Sequence, residues 1–69
     1  QTMYGLTSRD IEYIRLLADG LTNKEIAQIK NTSEGTVKNR VSSILQKLSL
    51  DARAQIAVFA VKNNLHLSN

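Results

Sequence analysis

Hydrophobic positions along this chain fall into helical registers. The cleanest series is Val37, Val41, Ile44, Leu45 and Leu48, spaced i, i+4, i+7, i+8, i+11, which keeps one face of a helix apolar. No stretch alternates apolar and polar residues as a strand would, and no proline interrupts the chain. Capping residues set the boundaries. Thr7 with Asp10 resembles a capping box and opens a first helix over 8–19, with Ile11, Ile14, Leu17 and Ala18 facing inward. Gly20 closes it in the left-handed conformation. Thr22 with Glu25 is a full capping box for a short second helix over 23–29, and Lys30 to Thr32 form a turn. Ser33 caps a third helix over 34–48, about 22 Å long at ~1.5 Å per residue, with Glu34 placed well against its dipole. Asp51 is the expected cap of a fourth helix over 52–63, carrying Ile56, Ala57, Phe59, Ala60 and Val61. The fold class is therefore all-α, a compact four-helix bundle.

The third helix has a second face with its own character. With the apolar stripe turned inward at about 100° per residue, the opposite side carries Gly35, Asn39, Ser42, Ser43 and Gln46. Lys38 lies along one edge, and Thr36, Arg40 and Lys47 along the other. A solvated face would carry Glu and Lys in supporting i, i+4 pairs. Here no acid follows Glu34 before Asp51, and small polar residues of mediocre helix propensity occupy the centre. Short or amide side chains in the middle with cations at the margins suit a helix lying in the DNA major groove, where base edges face the centre and phosphates the rims. Asn39 can bond an adenine edge through two atoms, and Lys38 can donate to guanine. Gly35 has two readings, simple tolerance in a first turn or close approach of the helix N-terminus to a phosphate. Lys24 at the start of the second helix is either a backbone contact or a solvated lysine.

Composition narrows the alternatives. Sixty-nine residues, 42% of them hydrophobic, suffice for one domain with one core. The formal charge of +3 suits an anionic partner. The absence of cysteine excludes disulfides and cysteine-ligated zinc. No apolar run reaches the roughly 18 residues that span a bilayer, and no signal peptide is evident, so no membrane partner and a soluble, cytoplasmic domain are expected. A chain starting at Gln1 reads as a piece of a longer protein. No nucleophile–base pair, metal cluster or phosphate loop supports an enzyme, a cofactor or a metal. A protein-interaction module that had lost DNA binding would be expected to lack the cations Lys38, Arg40 and Lys47. RNA binding would favour exposed aromatics, and Tyr4, Tyr13 and Phe59 do not lie on the polar face. The lone His66 sits in a tail and reads as a solvated side chain.

Four segments in order then resemble the LuxR-type helix-turn-helix pattern. They are Leu6-Thr7-Ser8-Arg9-Asp10, Ala18 through Ala27, Ser33-Glu34-Gly35-Thr36-Val37-Lys38, and Ile44-Leu45-Gln46-Lys47-Leu48. The resemblance runs from Leu6 to about Lys62 and implies a domain over 6–64, with a linker remnant over 1–5 and a tail over 65–69. It implies a bundle containing a helix-turn-helix, with the third helix as recognition helix. The implied role is output domain of a bacterial transcription regulator, first of all a NarL-type response regulator with a receiver domain, with the quorum-sensing branch and its ligand-binding domain left open. Its expected partners are double-stranded DNA, a second copy of the domain, an N-terminal regulatory domain and, as a further candidate, RNA polymerase. By resemblance the base-contacting positions fall on Lys38, Asn39 and Ser42, and the phosphate-contacting positions on Thr22, Asn23, Lys24, Ser33, Thr36, Arg40 and Lys47. The fourth helix supplies a dimer contact at Arg53, Val58 and Lys62. Three departures stand out. Arg40 replaces the family's usual histidine, the turn Lys30-Asn31-Thr32 is polar where apolar residues are usual, and Ala52 stands at the usual cap of the fourth helix. Ile29 is expected to fill part of the gap that the polar turn leaves.

Overall fold

The computed structural model describes residues 5–65, and every regular element among them is a helix. The order is α1 (Ser8–Ala18), α2 (Asn23–Lys30), α3 (Glu34–Leu48) and α4 (Arg53–Lys62). The most extensive packing joins α1 to α4 and α2 to α3, while α3 also touches α1 and α4. Tyr4 and His66 lie outside the described residues. So does most of the proposed tail, but Leu65 packs against the core and its carbonyl accepts from Arg15 Nε at 3.0 Å.

Local chemistry explains the helix starts. Thr7 Oγ1 accepts from the Asp10 N–H at 3.1 Å, and Asp10 Oδ2 accepts from the Thr7 N–H at 3.0 Å. Thr22 and Glu25 repeat the arrangement at 3.1 and 2.8 Å. Ser33 Oγ accepts from the Thr36 N–H at 3.1 Å. Each pair satisfies backbone donors that have no partner inside the helix. At the other ends, Gly20 turns left-handed after α1 at φ +80, as expected of a glycine there. Asn31 and Ser49 do the same after α2 and α3 at φ 54 and 56, where the side chain makes the conformation less favourable.

The start of α4 differs from the reading of the sequence. Asp51 does not cap it; Ala52 occupies the cap position and the helix runs 53–62. The Gln55 side chain does the work instead, its Oε1 accepting from the N–H groups of Asp51 and Ala52, both at 2.8 Å. A carboxamide one turn inside the helix reaches back to both donors and ties down the entrance to α4, while Ala52 itself supplies no side-chain cap.

The core gathers Leu6, Ile14, Leu17, Ile26, Ala27, Val37, Val41, Ile44, Ile56 and Ala60, with Tyr13 beside them. Ile11 and Ala18, expected inward, are only half-buried, and Asp10 and Tyr13 take the buried positions of α1. Extending the series Tyr13, Ile14, Leu17 back by one turn lands on Asp10, so the inward stripe of α1 begins with a carboxylate. Two apolar residues at the flanks stay exposed, and for Ile29 that corrects an expectation. Val61 is 56% exposed, because α4 buries the side centred on Ile56 and Ala60 and Val61 lies roughly 120° away. Ile29 is 58% exposed and does not fill the space beside the polar turn. Helix α2 has only two turns, and Ile26 and Ala27 already form its buried side.

Gln55→Ala should lower the stability of the domain by about 1 kcal/mol, the ordinary worth of a helix cap. Asp51→Ala should stay within about 0.5 kcal/mol of the parent. Thermal and urea melts of the two variants check this.

Candidate nucleic-acid interface

Helix α3 is anchored by Val37, Val41 and Ile44, which fixes what its other side presents. Gly35, Thr36, Lys38, Asn39, Ser42 and Gln46 are exposed there, and Ser43 is half-buried. The expected base-contacting set Lys38, Asn39 and Ser42 therefore lies on one open surface. A Cβ on Gly35 would meet only Ser33 Oγ, at an ordinary 3.8 Å, so packing within the domain does not require glycine. Ser33 Oγ also donates to Thr36 Oγ1 at 3.0 Å, so the Thr36 hydroxyl proton is not used in that pair.

The basic edge of α3 is tied inward. Arg40 Nη1 donates to Asp10 Oδ1 at 3.2 Å and Lys47 Nζ to Asp10 Oδ2 at 2.6 Å. The Asp10 side chain is 0% exposed, whereas those of Arg40 and Lys47 remain 29% and 31% exposed. Burial pushes the Asp10 carboxyl up, but hydrogen bonds from Lys47, the Thr7 N–H and Arg40 outweigh it, and the group ends below its ordinary range. One carboxylate thus serves as the N3 member of a capping box and as the shared anion of two cations on α3. Arg40 and Lys47 are thus tethered from behind, and each keeps a wetted side. The sequence carried a signal for this. Arg40 and Lys47 are seven residues apart on one edge, a spacing that a single facing anion can bridge.

Beside this junction the buried ring of Tyr13 supports two cations. Lys30 Nζ lies 5.4 Å and Arg40 Cζ 5.6 Å from its centroid. Lys30 also pairs with Glu12, whose carboxyl is held below its ordinary range by that contact. Sequence reasoning gave Asp10 only a capping role and assigned no functional role to Arg9, Tyr13 or Lys30.

The remaining expected contacts divide into two groups. Thr22, Asn23 and Lys24 sit at the N-terminus of α2, with Lys24 exposed. The Thr22 hydroxyl is engaged by the Glu25 N–H, and the Asn23 side-chain oxygen Oδ1 accepts from Arg53. Arg53 also donates to the Leu21 carbonyl, so it pins the start of α4 to the start of α2. Val58, 55% exposed, and Lys62 lie elsewhere on α4, along a groove of about 290 Å³ shared with Leu50, Gln55 and Phe59. The structure thus brings Val58 and Lys62 together and turns Arg53 toward α2. Among the described residues no cluster of His, Cys, Asp or Glu could hold a metal, and no helix is long and apolar enough to cross a membrane.

A two-turn helix leading through a tight turn into a longer helix with an open polar face defines a helix-turn-helix domain. The family model for bacterial regulatory proteins of the luxR family (GerE) matches residues 4–60, and the chain belongs to that family. It is 49% identical over 57 residues to the transcriptional regulatory protein LnrK of Bacillus subtilis, covering 83% of this chain and 26% of that protein. It is 48% identical over 58 residues to the DNA-binding transcriptional activator DevR/DosR of Mycobacterium tuberculosis, covering 84% of this chain and 27% of the relative. The response regulator protein VraR of Staphylococcus aureus is 42% identical over 60 residues, covering 87% and 29%. The chain spans less than a third of the length of these relatives, all of them regulators by name.

Two outcomes follow from the Asp10 junction. Lys47→Ala should cost about 1–3 kcal/mol, because it strips a charged hydrogen bond from a buried carboxylate. That is a large share of the roughly 3–10 kcal/mol expected for a domain of this size. Because the folded-state pKa of Asp10 is depressed, its contribution is present above the unfolded value near 3.9 and is lost as pH falls through the folded value. Urea melts between about pH 6 and pH 2 should show this acid loss, and Asp10→Asn should flatten it.

Proposed function

We propose that this domain binds double-stranded DNA in a sequence-specific manner and acts as the output module of a transcription regulator, with α3 in the major groove. The observation that carries the reading is the composition of the open side of α3. Asn39 and Ser42 stand at its centre, Lys38 on one margin and Arg40 and Lys47 on the other. Asn39 reads an adenine edge, Lys38 donates to guanine acceptors, and Ser42 contacts the adjoining pair. Phosphates are met by Thr36, Arg40 and Lys47 along one rim and by the N-termini of α2 and α3 with Thr22, Asn23, Lys24 and Ser33. Gly35 lets the backbone approach. Arg40 offers a planar fork of donors that can hold a phosphate through two atoms.

A single module of this kind offers about 600–1,000 Å² to DNA, which makes half-site binding modest. Pairing of two copies through α4, at Val58 and Lys62, would set two recognition helices on a two-fold repeated site. The relatives named as a response regulator and as a transcriptional activator support a longer protein in which another domain controls this one. RNA polymerase is a further partner consistent with activation, and the cytoplasm is where such a complex would form.

Binding to a mixed-sequence duplex should weaken steeply with rising salt, and a flat dependence would count decisively against a groove-bound α3. With a duplex selected from random sequence, Asn39→Ala should lose about 1–3 kcal/mol of discrimination at one base pair per half-site. Its melting temperature and non-specific affinity should hold. Competition against single-base variants reads this directly, and an unchanged preference at every position would remove Asn39 from the reading set.

Val58→Arg should reduce occupancy of a full two-fold site while sparing the half-site. Gel-shift titrations on both duplexes separate this from a folding defect, which would weaken the two alike.

A further inference from the structure

We propose that the pocket between the start of α1, the end of α2 and the first two turns of α3 seats a phosphate of the DNA backbone, bringing Arg9 and Lys30 into the interface. This rests on the duplex-binding reading above. The pocket has a volume of about 280 Å³ and is walled by Arg9, Tyr13, Lys30, Thr32, Thr36 and Arg40.

Three observations converge on an anion. The first is charge. The four cations Arg9, Lys30, Arg40 and Lys47 face the two carboxylates Glu12 and Asp10, which leaves two positive charges uncompensated at this junction. Arg9 is exposed and makes no ion pair among the described residues. It also stands in the first turn of α1, where the helix dipole disfavours a cation, and its local partner is Glu12 three residues on, whose charge it supports at longer range while Lys30 holds the direct ion pair. The second is preorganisation. Lys30 and Arg40 are held over the same Tyr13 ring at 5.4 and 5.6 Å, so their stems are already ordered before a ligand arrives. The third is position. Thr36 and Arg40 border the side of α3 that carries Asn39 and Ser42, and a strand flanking a helix in the groove passes along such a rim. Guanidinium, ammonium and the Thr36 hydroxyl are all donors, which is what a phosphodiester oxygen requires.

The experiment is a salt titration of binding to a mixed-sequence duplex by the wild-type domain, Arg9→Ala, Arg9→Lys and Lys38→Ala, with thermal melts of each. Arg9→Ala should melt like the wild type, bind about eightfold more weakly at about 0.1 M salt, and show a salt slope shallower by about 0.9. Arg9→Lys should recover most of the slope. The proposal is overturned if Arg9→Ala keeps the wild-type affinity and slope while Lys38→Ala loses both, since DNA binding would then stand without this pocket. It falls with the parent reading if the wild-type domain binds no duplex. A parallel NMR titration with inorganic phosphate separates the source of the anion. Saturable shifts at Arg9 and Thr36, together with an unchanged DNA slope for Arg9→Ala, would assign the pocket to a free anion and overturn the backbone assignment.

Discussion

The carboxylate of Asp10 is fully buried where α1 meets α3, and the rest of the arrangement follows from how it is satisfied. A buried carboxylate without partners is strongly disfavoured, so the domain must bring it donors. It receives one from its own helix start, the Thr7 N–H, and two from α3, Arg40 and Lys47. Those two cations stand two turns apart on α3, so meeting both sets the rotation of that helix about its axis as well as its distance from α1. Hydrophobic contacts alone tolerate small rotations. A bifurcated ion pair does not.

That rotation decides what faces outward. With Val37, Val41 and Ile44 inside and Arg40 and Lys47 held at the seam, Asn39, Ser42 and Gln46 are left on the open side. Core, seam and polar face are thus three sectors of a single helix. The same junction limits the electrostatics of the surface. Asp10 cancels part of the charge of Arg40 and Lys47, and Glu12 part of that of Lys30, so the rim is less positive than the count of its lysines and arginines suggests. Within the luxR family of regulatory proteins, this chain therefore combines a neutral centre on α3 with a rim whose cations are positioned from behind.

The other end of the molecule is organised by hydrogen bonds from long side chains. Arg53 reaches the Leu21 carbonyl and the Asn23 side chain and joins α4 to the entrance of α2. Gln55 closes the donors at the start of α4. Two residues that look like surface polar positions in the sequence therefore secure the helix that carries the exposed Val58 and Lys62.

Much of this was legible in the residues alone, wherever the deciding physics is local. Capping boxes at Thr7 and Thr22, the Ser33 cap, the left-handed Gly20 and the 3.6-residue stripe on α3 depend on neighbours within a turn or so, and all appear as read. The open side of α3 was legible for the same reason, as the complement of its stripe. What the sequence could not decide were contacts between residues far apart along the chain. Asp10 read as a helix cap, because its pairing with Lys47 spans 37 positions and exists only once α1 and α3 pack. Arg53, a dimer-contact candidate by resemblance, reaches the start of α2 only once α4 is set against it, and Ile29, expected to fill part of the gap beside the polar turn, is left outside by the limited burying width of a short helix. Periodicity tells which residues of a helix share a side. Which sides find partners is settled only when the helices meet.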